Sequence, residues 1–130
     1  MSTQYVIDID NHVVRTTFSG RVTCRNIVEY ASKLRGDPGF APHFSELVMF
    51  GEDPDIQLSY LDWQSLSTTD PFLRSSKRAF VVQHRSAVLG AIRMHQTARS
   101  DAPNIRIFET EDEALSWLSE PERRAQAEGL

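Results

Sequence analysis

Two short apolar runs, Leu47-Val48-Met49-Phe50 and Ala79-Phe80-Val81-Val82, constrain this chain more than any other feature. Neither alternates with polar residues, so both sides of each run need cover. A strand covered on both faces belongs in the middle of an α/β sheet. Both runs are far too short to cross a bilayer. The N-terminus, Met1-Ser2-Thr3-Gln4, lacks the basic start and apolar stretch of a signal peptide, so the expectation is a cytoplasmic protein with no integral membrane segment.

The rest of the chain arranges itself around these two strands. Tyr5, Ile7 and Ile9 alternate with Val6, Asp8 and Asp10, and a second run carries Val14, Thr16 and Phe18 on one face. The polar break Asp10-Asn11 between them predicts a tight two-residue turn, because Asp and Asn tolerate positive φ. A turn that short forces the two strands antiparallel. Gly20 ends the second strand, and Thr23 caps a helix carrying Ile27, Val28, Ala31 and Leu34, closed by Gly36-Asp37-Pro38-Gly39.

After Phe50 comes a polar loop, Gly51-Glu52-Asp53-Pro54-Asp55, then a short helix capped by Ser59, with Asp62 placed to reach back to free amides. Ser86 opens a helix with Val88, Ala91, Ile92 and His95 on one face, and Ile105-Arg106-Ile107-Phe108 is the last strand. Thr110-Glu111-Asp112-Glu113 spells a capping box, in which the Thr oxygen and the Glu carboxylate each satisfy a helix-start amide. In the helix it opens, Trp117 is placed to seal an edge of the core. A hairpin followed by strand–helix alternation predicts a mixed five-stranded α/β sheet with about four helices.

Composition removes several functions. Fourteen Lys and Arg against eighteen Asp and Glu give a net charge of −4. The basic residues are scattered instead of forming a phosphate-tracking stripe, so no nucleic acid is expected as partner. Cys24 is the single cysteine, which rules out an internal disulfide and suits a small packing residue at a helix start. His12, His43, His84 and His95 never fall at metal-ligand spacing, and no nucleophile elbow, phosphate loop or dinucleotide fingerprint occurs, so neither metal nor cofactor is expected and no residue is assigned a catalytic role.

Certain stretches resemble a known family. These are Lys77-Arg78-Ala79-Phe80-Val81-Val82, Gly90-Ala91-Ile92-Arg93-Met94, and the ending Ile105-Arg106-Ile107-Phe108 with Glu113-Ala114-Leu115-Ser116-Trp117-Leu118. Together they resemble the bacterial STAS/SEC14-like proteins, which finish with a hydrophobic-Arg-hydrophobic-Phe strand and a helix bearing Glu-Ala-Leu-x-Trp-Leu. The resemblance implies a SpoIIAA-like fold over residues 1–119, followed by a charged tail at 120–130. It implies no reaction. The anti-sigma-factor antagonists of that fold carry a phosphorylatable Ser in the turn after the central strand. Here the turn reads Gly51-Glu52-Asp53-Pro54, with no hydroxyl, so the switch does not carry over.

The expected function is a non-catalytic binding or regulatory module for a partner protein or a small amphipathic ligand. Its candidate site lies at the carboxyl ends of the two apolar strands, where ligands gather in open α/β sheets. Glu52 and Asp53 come from one loop; His84, Arg85 and Ser86 come from the other, with Arg85 as counter-charge at a helix start and His84 as a titratable donor. The alternative is an enzyme using His84 with Glu52 or Asp53 as acid and base. Leu58, Tyr60, Trp63 and Phe72 gather around the short helix in greater number than one face of two turns can bury, which calls for a ligand or a homodimer partner.

Overall fold

A computed structural model describes residues 2–99 and 102–120. Strands β1 (Ser2–Asp8), β2 (Val13–Ser19), β4 (Ser45–Phe50), β6 (Arg78–Val81) and β7 (Ile105–Phe108) form one mixed sheet in the order β1-β2-β4-β6-β7. β1 and β2 are antiparallel, and every other neighbouring pair is parallel. The two apolar runs therefore occupy the middle of the sheet, side by side, as their lack of alternation demands.

Among the described residues four α-helices cover the sheet: α1 (Cys24–Gly36), α2 (Tyr60–Ser65), α3 (Val88–Ala98) and α4 (Glu111–Ser119). The pleat sends alternate residues to opposite faces. Val14, Phe18, Val48, Phe80 and Ile105 face one way and pack with Tyr30 and Leu34 of α1 and Val88 and Ile92 of α3. Val13, Leu47 and Ala79 face the other way and meet Ala114 and Trp117 of α4. Lys77 and Arg106 lie over the Trp117 ring, 5.3 and 5.1 Å from its centre, so their aliphatic stems and charges close the rim that α4 leaves open. Cys24, at the start of α1, packs with a third apolar group around Trp63, Leu66 and Ala98.

Several local expectations change. The hairpin connection is four residues long, Ile9 to His12, and the positive φ falls on His12 (56°) instead of Asp10 or Asn11. Asp8 holds the turn by accepting from the Asn11 backbone and side-chain amides at 3.2 and 2.8 Å, which sets the reversal one residue later. The loop after β4 is not wholly irregular: β5 (Asp55–Gln57) pairs in parallel with β3 (Arg21–Thr23), a ribbon too short to show any alternation. A Cβ at Gly51 would fall 2.2 Å from the Ser19 hydroxyl as the loop crosses the end of β2, so any side chain there would make that hydroxyl swing aside.

Thr23 and Ser59 each close a full capping box, with Asn26 and Asp62. At Thr110 the box is half-formed: the hydroxyl accepts from the Glu113 amide, but the Glu113 carboxylate accepts from the Thr110 hydroxyl rather than from the backbone. Val28 points to solvent, since the buried stripe of α1 runs through Tyr30, Ala31 and Leu34. No helix among the described residues is long and apolar enough to cross a membrane. The charged tail, apart from Glu120, lies outside the described residues.

Replacing Trp117 with Ala removes the ring that fills the α4 side and strips Lys77 and Arg106 of their platform. The expected cost is about 3 kcal/mol, read as a lower urea midpoint, and an unchanged midpoint would contradict the packing described.

Candidate functional site

The parallel register of β4 and β6 sets Glu46 beside Arg78, both on the face covered by α1, α2 and α3. A carboxylate and a guanidinium thus stand at the first inward positions of two otherwise apolar strands, buried to 8% and 3% exposure. Charges so deep persist only when paired and hydrogen-bonded. Their partners come from other segments. The 3-10 turn Leu66–Thr69 continues α2 and delivers Asp70, whose Oδ2 accepts from Arg78 at 2.5 Å and from Arg99, just past α3, at 2.9 Å. Its Oδ1 accepts the Phe72 amide at 3.1 Å. Arg78 also donates to the Leu73 carbonyl and lies over the Phe72 ring.

A hydroxyl relay extends the cluster toward the hairpin. Tyr30 donates to the Glu46 carboxylate at 2.8 Å, and its oxygen lies 2.6 Å from the Thr16 hydroxyl, itself fully buried on β2. Burial pushes the Tyr30 phenol well above its ordinary value, and the neighbouring Glu46 carboxylate adds to the shift. Burial likewise raises the Glu46 carboxyl, although Arg78 and the Tyr30 hydrogen bond pull the other way.

Between this charged floor and the helices lies a cavity of about 80 Å³. A single water needs roughly 10–15 Å³ by the same measure, so the space suits a small organic molecule or several waters. The rest of its wall is mostly apolar and includes Phe18, Val48, Phe50, Ile56 and Leu66. The Trp63 and His95 rings meet at 4.4 Å, and both side chains line the cavity. Among the described residues, the indole Nε1 of Trp63 and the Nε of Arg78 have no hydrogen-bond partner, although both side chains are buried.

The residues anticipated at the strand ends sit elsewhere. The loops after β4 and β6 do leave adjacent parallel strands at the same end, but they attach to different neighbours. The Glu52 carbonyl accepts the Gly20 amide at 3.0 Å, and Asp53 adopts a positive φ of 46°; both are exposed. His84 lies 3.9 Å from Glu109, and this exposed pair borders a hollow shared with Arg93 and Phe108 that includes neither Glu52 nor Asp53. Arg85 is exposed. Ser86 lies two residues before α3, where its hydroxyl accepts the Val88 amide at 3.2 Å. Of the apolar group around α2, Trp63 and Phe72 are buried and line the cavity, Leu58 is half-buried, and Tyr60 stays exposed along with Leu61.

Sequence reasoning did not bring together Tyr30, Glu46, Asp70, Arg78 and Arg99. The available signal was a charge at the head of each apolar run, Glu46 before Leu47 and Arg78 before Ala79, which becomes a pair only once the register is known. Comparison with family models, with curated proteins and with solved structures returns no match.

Asp70→Asn leaves two buried guanidinium groups without their shared anion. It should destabilise the fold by about 3–5 kcal/mol in urea denaturation, and a loss below about 1 kcal/mol would contradict the geometry. Glu46 gives a pH signature. Its folded-state pKa is raised, so the unfolded carboxyl ionises first, and the Glu46 contribution is complete at low pH and lost as pH rises through the folded value. Glu46→Gln cannot ionise, so its stability relative to wild type should climb as pH rises above the ordinary carboxyl range. A pH-independent difference would contradict this.

Proposed function

We propose that this chain is a non-catalytic binding module of the STAS/SEC14-like kind, and that it takes a small amphipathic ligand into the cavity between the sheet and α1, α2 and α3. One observation carries this reading: a largely apolar cavity has a single charged floor, built from Glu46, Asp70, Arg78 and Arg99. Small-molecule sites are typically concave and apolar, with a few placed polar groups that fix orientation. A buried ion cluster is weak support for a purely structural role, because apolar residues of similar volume often serve stability as well or better. The hairpin-first order of elements and the ending Ile105 to Leu118 support the kinship.

Acid–base catalysis through His84 has less support. Its side chain and that of its carboxylate neighbour, Glu109, are both largely open to water, and such chemistry gains from a site that excludes water.

Native mass spectrometry of the freshly purified protein tests the reading. The expected spectrum contains a non-covalent small-molecule adduct, and thermal unfolding should shift upward with small amphipathic compounds, by about 2.7 kcal/mol of stabilisation at one hundred times Kd. A bare mass together with no shift for any such compound would remove the proposal.

A further inference from the structure

We propose that the ligand of this cavity is a small apolar carboxylic acid bound as its anion, with the carboxylate seated against the free Nε edge of Arg78. The inference rests on the reading of the cavity as a binding site and deepens it. Its basis is two polar atoms. Trp63 Nε1 and Arg78 Nε have no partner, their residues are 5% and 3% exposed, and both side chains line the cavity. Indole and guanidinium nitrogens only donate. A ligand amine would leave both as they are, whereas a ligand oxygen can accept from them.

The choice between a neutral oxygen and a carboxylate follows from the guanidinium. Arg78 spends Nη2 on Asp70 and on the Leu73 carbonyl, which leaves the Nε edge to face an acceptor. The Nε–H offers a single charge-assisted hydrogen bond, which a carboxylate oxygen, carrying full charge, accepts more strongly than a neutral hydroxyl. The apolar body of the ligand would then lie against Phe18, Phe50, Ile56 and Leu66.

Three probes sharing one alkyl chain separate the possibilities: octanoate, 1-octanol and octylamine, titrated calorimetrically into the full-length protein. Octanoate should bind at least about tenfold more tightly than octanol, and octylamine more weakly than either. Trp63→Phe keeps a ring in the wall but deletes the indole N–H. It should cut octanoate affinity by up to about tenfold and leave octanol less affected. Arg78→Lys, which keeps the charge but not the Nε edge, should abolish the preference for octanoate if it folds, and Trp63→Phe keeps the test decisive if it does not. Octanol binding as tightly as octanoate would overturn the carboxylate assignment while leaving the binding site standing. A preference for octanoate unchanged by Trp63→Phe would overturn the assignment as well. No binding by any of the three would overturn both.

Discussion

Asp70 is the point on which the inner face of this protein depends. One carboxylate oxygen receives Arg78 from the central sheet and Arg99 from beyond α3, while the other receives the Phe72 amide. The loop after α2, strand β6 and the end of α3 are thereby fixed to one another. Because Asp70 ends the 3-10 turn that prolongs α2, the same contact holds that turn and its Leu66 over the sheet. Without an anion here, two guanidinium groups would face each other in a poorly solvated space. That arrangement is strongly destabilising, because an uncompensated charge stays buried.

The two faces of the sheet divide the work. The α4 side is close-packed from Leu47, Ala79, Ala114 and Trp117, with Arg15 bonded to Glu111 at 3.0 Å at its margin. The opposite side is more heavily covered yet keeps an open space, and it contains the buried Tyr30–Glu46 pair and the Asp70 cluster. A fold of this size has little stability to spare, so leaving one member of these buried pairs without its partner is costly.

Much of the fold was legible in the sequence and most of the site was not, for one physical reason. Local rules act over a few residues: apolar runs without alternation marked β4 and β6, Ser59 with Asp62 marked a helix start, and the Ile105 to Phe108 run marked β7. The site is built across long separations. Glu46 and Arg78 become neighbours through strand register, and Asp70 and Arg99 join them through the placement of loops that no local pattern encodes. The rule that ligands gather at strand carboxyl ends directed attention to His84 and Arg85. It had no view of a cavity lying along the sheet face. His12 was missed for a related reason, since the Asp8 side chain, not turn propensity alone, decides where that chain reverses.

The most direct measurement uses the two tryptophans as an internal control, because Trp63 lines the cavity and Trp117 lies on the far side of the sheet. Each contributes one indole N–H signal to a nitrogen–proton correlation spectrum, and the two can be followed together as octanoate is added. The account predicts that the Trp63 indole signal moves and saturates while the Trp117 signal stays in place. A titration in which the Trp63 signal is unmoved, or in which the two move alike, would contradict a ligand site between the sheet and its three helices.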